Sequence, residues 1–217
     1  MAVVAAAAAF TVSPERVRIA AGSRAALTIR ASGPVGASVT LGTTGYRLDL
    51  RGRPVLGGHR VRWLAVFPRA LVLRRGGSAV VNVLTRRPTQ PGDHVAAVVV
   101  TFRPSGAGTT TAVRVGAVVV VRTQGALRRV VVIRSLAYAA GRLRLVIANA
   151  GNVVETLRLV VRLVRRGVAA VFRARRRLLP GSRALLEWRV PPRLHGSFTA
   201  SVTIGGVRAG RTFPLRL

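Results

Sequence analysis

The sequence has no cysteine and no lysine, only five acidic residues, and an aromatic content of 5%. Without cysteine there is no disulfide, thiol nucleophile or cysteine-ligated metal, although this alone fixes no compartment. Without lysine, P-loop phosphate binding, protein-kinase chemistry and Schiff-base catalysis are excluded, because each uses that amine. The acids are Glu15, Asp49, Asp93, Glu155 and Glu187. In so basic a chain a carboxylate is expected to pair with an arginine rather than with a second catalytic carboxylate. Long apolar runs are also missing. The longest stretch without a charge, Ala31–Tyr46, is 16 residues and is broken by Gly33, Pro34, Gly36, Gly42 and Gly45. A spanning helix needs about 18 apolar residues, so no transmembrane helix is encoded.

What the chain does have is 217 residues, half of them apolar, with 23 Gly and 11 Pro. That is enough apolar material for real cores, and the length allows one large or two small domains. All 36 basic residues are arginine, giving a net charge of +31. At the N-terminus Met1–Ala9 is apolar and closes on Ala7-Ala8-Ala9, like a signal cleavage site, but without a basic n-region. It reads as a signal-peptide remnant or a disordered end.

Periodicity points to strands. Arg142–Ile147 and Arg158–Leu163 place apolar residues at every odd position, as half-buried strands require. Val95–Val100, Ala117–Val121 and Val130–Ile133 are β-branched runs suited to buried strands. Turn signals such as Ala21-Gly22, Gly76-Gly77, Pro91-Gly92, Ala140-Gly141 and Pro180-Gly181 recur every 8–12 residues or so. The pattern predicts an all-β protein of two tandem immunoglobulin-like β-sandwich domains, 10–124 and 125–217, with the boundary near Gly125. The second half divides into seven strands, near 128–136, 142–149, 156–165, 168–175, 182–189, 196–204 and 207–216. Seven is the immunoglobulin-like count. Trp63 and Trp188 lie in apolar strand patterns and are expected to pack in or near a core.

No enzyme is visible. The three histidines, His59, His94 and His195, show no metal-ligand spacing, so no metal site is read. Asp93 and His94 are adjacent in a turn and point apart if extended, which disfavours a dyad. No Gly-x-Ser-x-Gly elbow occurs. No catalytic residue and no cofactor are assigned.

The arginines are the chemical feature that stands out. Arg165, Arg166, Arg173, Arg175, Arg176 and Arg177 flank an expected hairpin turn at Gly167 and form the sharpest basic group. Guanidinium forks suit phosphate and carboxylate, so this group is the candidate polyanion site. An arginine excess along every strand is also what a GC-rich coding sequence produces, and charge alone does not define a site. Aromatic residues are not interleaved with the basic run, which argues against nucleic acid.

Several segments together carry a resemblance. Trp63-Leu64, Pro68, Leu71-Val72-Leu73, Gly76-Gly77-Ser78 and Val81-Asn82-Val83 are followed by Pro91-Gly92-Asp93-His94 and Val113–Val121. Asn149-Ala150-Gly151-Asn152, Leu179-Pro180-Gly181-Ser182 and Gly196-Ser197-Phe198 come next. In that order they resemble the WxL-interacting protein type, two-domain immunoglobulin-like surface proteins of Gram-positive bacteria. The resemblance implies a non-enzymatic, secreted protein of the cell envelope that binds peptidoglycan, wall polymer or other surface proteins. More distantly the chain is similar to PapD-like pilus chaperones, whose first domain receives a client strand by β-augmentation. In that reading Val113, Val115, Ala117, Val119 and Val121 form the alternating row, with Arg18 or Arg114 as carboxylate anchor. The expected function is therefore envelope-protein or wall-polymer binding. The alternatives are an arginine-driven polyanion or nucleic-acid binder and a chaperone-like strand acceptor.

Overall fold

A computed structural model describes residues 9–32, 35–57, 61–88, 90–105, 111–165, 168–205 and 209–216. The signal-like segment up to residue 8, His59 and Arg166 lie outside these. Every regular element among the described residues is a strand, and none is a helix long and apolar enough to cross a membrane. The chain forms two compact units. One comprises Met1–Tyr46 with Leu56–Gln124, the other Arg47–Val55 with Gly125–Leu217.

The first unit runs β1 (Ala9–Ser13), β2 (Arg16–Ala20), β3 (Arg24–Ser32), β4 (Ala37–Leu48), β5 (Pro54–Leu56) and β6 (Leu64–Phe67). It continues with β7 (Ala70–Leu73), β8 (Ser78–Thr85), β9 (Gly92–Pro104) and β10 (Val113–Thr123). One sheet has the order β1-β3-β8-β6, and the other β2-β10-β9-β4-β5 with β7 against β4. Alternation explains the layering. Leu27 and Ile29 of β3 and Val81 and Val83 of β8 face Val98, Val100 and Phe102 of β9 across one core. Each such side chain, removed from water, contributes about 1.5–3 kcal/mol before chain entropy is counted. The β9 run is buried nearly throughout because β9 is central in its sheet, with β10 on one side and β4 on the other.

The second unit contains β11 (Val131–Ala139), β12 (Arg142–Asn149), β13 (Glu155–Arg165), β14 (Val168–Leu178), β15 (Arg183–Arg189), β16 (Ser197–Gly205) and β17 (Ala209–Arg216). These are the seven strands the periodicity predicts, with β11 starting later and β14 running on to Leu178. Their sheets are β11-β12-β15 and β14-β13-β16-β17. The odd-numbered residues Leu157, Leu159, Val161 and Leu163 of β13 enter the core, against Leu143, Leu145 and Ile147 of β12. Trp63 and Trp188 are both half-buried against their cores, near-core as expected. Trp188 Nε1 donates to the Arg173 carbonyl at 3.3 Å.

The segment Arg47–Val55 turns on Asp49, whose Oδ1 accepts the backbone N–H groups of Arg51 and Arg53 at 2.9 and 2.8 Å. Gly52, at φ 82°, supplies the left-handed residue this turn requires. The Leu50 and Arg51 carbonyls accept from Leu185 N–H and Arg176 Nη1, which ties the turn into the second unit's hydrogen-bond network.

Candidate functional site

β10 is unusual in how its edge is used. β9 pairs with it along its whole length, from Val113 opposite Phe102 to Thr123 opposite Gly92. On its other side β2 pairs with it in parallel, but only over Val118–Arg122. The preceding strand β1 departs to the opposite sheet and pairs with β3 instead. Chain geometry produces this. The sequence changes sheets around Pro14, and the contact from Val118 N–H to the Glu15 carbonyl, 2.8 Å, marks where pairing with β10 begins. Among the described residues, no strand pairs with the outer edge of Val113–Ala117, although β1 lies against β10 and its Phe10 stacks on Phe102, the partner of Val113.

The side chains change along the same stretch. Val121, Val119 and Ala117 are fully buried in the core. Val115 is half-buried, and Val113 is 37% exposed. The inward row therefore opens to solvent where the backbone edge has no paired strand. An unpaired edge beside an open apolar row is what a further strand needs, since the edge supplies hydrogen bonds and the row supplies contacts for alternate side chains. Beside it, on the sheet's outer surface, lies a shallow concavity of about 530 Å³ lined by Thr40, Gly42, Thr101, Arg114 and Gly116.

At the covered end of β10 lies a charge cluster. Arg122 Nε and Nη2 donate to Asp93 Oδ1 and Oδ2 at 2.8 and 2.9 Å, a bidentate pair across the β9–β10 ladder. The Asp93 carboxylate is fully buried, and Arg18 Nη2 approaches it at 3.9 Å while remaining half-exposed. Arg18 thus has a carboxylate partner inside its own unit, whereas Arg114 lies exposed on the open stretch of β10. Asp93 and His94 form no dyad. Asp93 is engaged by Arg122, and His94 Nε2 lies 2.8 Å from the Gln90 carbonyl with its ring edge-on to Trp63.

Five of the six arginines of the basic group are described, and they do not all share one face of their sheet. Arg165 Nη1 donates to the His195 carbonyl and Arg176 Nη1 to the Arg51 carbonyl, both at 2.6 Å. Arg173 and Arg175 are exposed on the outer face of β14, Arg177 is half-buried on the same side, and Arg166 is not described. The register instead brings in two residues that sequence grouping missed. Arg158 of β13 faces Arg175, and Arg162 follows it on the same face. The signal was the alternation Arg158-x-Val160-x-Arg162 read together with the hairpin register, not proximity along the chain.

No protein-family model matches the chain, and no curated protein matches it. Solved structures do. The class 5 fimbriae chaperone CfaA aligns over 96% of this chain and 100% of its own, with a TM-score of 0.56 and 10% identity. The fold is that of the PapD-like pilus chaperones. The YadV chaperone aligns at a TM-score of 0.56 and 13% identity, over 96% of this chain and 99% of its own. A chain of the CsuC–CsuE chaperone–tip adhesion subunit pre-assembly complex, from the archaic chaperone-usher Csu pili of Acinetobacter baumannii, aligns at 0.55 and 14% identity. That match covers 95% of this chain and 98% of the other. These neighbours match the more distant of the two sequence resemblances, and they are pilus chaperones rather than proteins of the WxL-interacting type.

Proposed function

We propose that this chain is a non-enzymatic, chaperone-like acceptor that binds a strand of a cell-envelope protein along β10. The observation that carries the reading is the coincidence, over Val113–Ala117, of a backbone edge with no paired strand and an apolar row opening to solvent. A strand laid there extends the sheet by one, with main-chain hydrogen bonds giving affinity and alternate apolar residues reaching Val113 and Val115. The fold shared with pilus chaperones supports the same reading, since one neighbour is a chaperone complex with a tip adhesion subunit. The compartment that accompanies it is the cell envelope. Binding to wall polymer, the reading drawn from the WxL-type resemblance, has no comparable feature among the described residues of the first unit.

The test uses synthetic ten-residue peptides alternating apolar and polar residues. Val113→Glu, an exposed position that tolerates charge, places a carboxylate in the open row and lowers peptide affinity by roughly tenfold or more, while Arg24→Gln leaves it unchanged. Equal affinity for the wild-type chain and Val113→Glu overturns the reading.

A further inference from the structure

The outer face of the sheet β14-β13-β16-β17 carries charge of one sign only. Arg158 and Arg162 of β13 and Arg173 and Arg175 of β14 all project from it and are exposed. Arg158 stands directly opposite Arg175, and Arg173 stands opposite Val160 between the two β13 arginines. Neighbouring strands bring directly opposed Cβ atoms to about 4.5–5.5 Å, where like charges repel and lower stability. Among the described residues, no carboxylate on the face relieves this. Glu155 is buried and takes Arg129, and Glu187 takes Arg144. The ion pairs among the described residues use Arg18, Arg53, Arg122, Arg129 and Arg144, none of them on this face.

The face is also not purely polar. Val171, the cross-strand partner of Arg162, is 41% exposed, and Val164, two residues along the same strand, is 52% exposed. β16 adds hydroxyls, with Thr203 opposite Val160 and Ser201 opposite Arg162. Phe172, Phe198 and Phe213 point the other way, into the core. Unpaired guanidinium groups and hydroxyls suit phosphate oxygens, and aliphatic side chains between them suit the boundary between headgroups and acyl chains. A hydrated polyanion has no use for the exposed valines, and a single-stranded nucleic acid finds no ring to stack on.

We propose that this face is a docking surface for an anionic phospholipid membrane, with Arg158, Arg162, Arg173 and Arg175 on lipid phosphates and Val164 and Val171 at the acyl boundary. The surface belongs to the second unit, and the proposal stands independently of the strand-acceptor reading of the first.

The experiment is co-sedimentation of the full chain with vesicles of phosphatidylglycerol and phosphatidylcholine, against vesicles of phosphatidylcholine alone. The wild-type chain binds the anionic vesicles, and binding falls as salt is raised. R158Q/R162Q/R173Q/R175Q lowers the partition coefficient by roughly a hundredfold or more, from the loss of four surface arginines. A control, R24Q/R30Q/R74Q/R75Q, removes the same charge from exposed sites on the first unit and changes it by less than about threefold. V164S/V171S weakens vesicle binding but leaves retention on heparin and on a DNA duplex unchanged. Removing the opposed arginines relieves repulsion, so the four-site variant folds, and circular dichroism verifies this. Equal losses for the two four-site variants overturn the proposal in favour of diffuse attraction by net charge. Vesicle binding unaffected by V164S/V171S, with DNA or heparin binding lost in the face variant, overturns it in favour of a soluble polyanion.

Discussion

Arg158 and Arg175 stand directly opposite each other on β13 and β14, both exposed, with the carboxylates of the second unit committed elsewhere. Arg175→Glu converts this like-charge pair into an opposite-charge one. The expected gain is about 0.5–1 kcal/mol, read as a higher urea midpoint with unchanged slope. The gain shrinks as salt is added, because both groups face solvent. A lower midpoint shows that the two side chains do not feel each other.

The pair Asp93–Arg122 carries the opposite expectation. Its carboxylate is fully buried, both of its oxygens accept from Arg122, and the pair fixes the β9–β10 register beside the start of β9. Asp93→Ala removes the bidentate acceptor of Arg122 and costs about 2–3 kcal/mol, discounted because Arg122 is itself one-third exposed. A double-mutant cycle with Arg122→Ala shows coupling of at least about 1 kcal/mol. Additive effects in that cycle contradict the assignment.

Asp49 gives a pH signature. The Arg53 backbone N–H, followed by its guanidinium, holds the Asp49 carboxyl below the ordinary aspartate value of 3.8. A depressed folded pKa contributes stability that is complete above the unfolded value and is lost as pH falls through the folded one. Order in the turn Asp49–Arg53 therefore persists at pH 4 and fails only below the usual aspartate range. Carbon-detected NMR titration of Asp49 checks the midpoint. A midpoint at or above 3.8 contradicts the hydrogen-bonded geometry, and Asp49→Asn removes the transition.

Much of the strand pattern is legible in the sequence because it is local. Arg158-Leu159-Val160-Val161-Arg162-Leu163 announces a half-buried strand by itself, and the structure buries its odd positions and exposes its arginines. The alternation of Val113, Val115, Ala117, Val119 and Val121 is equally visible. Its free edge is not, because that depends on β2, about a hundred residues earlier, pairing only with Val118–Arg122. The placement of the basic group was hidden for a related reason. Adjacency along the chain collects Arg165 and Arg176, but the carbonyls of His195 and Arg51 hold them, and no local pattern forecasts those partners. The arginine face is fixed by hairpin register, which pairs Arg158 with a residue beyond the turn.

The central claim is that a partner strand lies on the open half of β10, and through-space NMR contacts between a bound peptide and the amides of Val113–Ala117 test it most directly. With the chain deuterated and the peptide protonated, the account predicts regular strand-to-strand contacts from the peptide backbone to these five residues. It also predicts that the outward-facing amides of Arg114 and Gly116 become protected from hydrogen exchange, while those of Val113, Val115 and Ala117, which face β9, and those of Val118–Arg122 are protected already in the free chain. Contacts confined to the second unit, or peptide binding that leaves the exchange of the Arg114 and Gly116 amides unchanged, would contradict it.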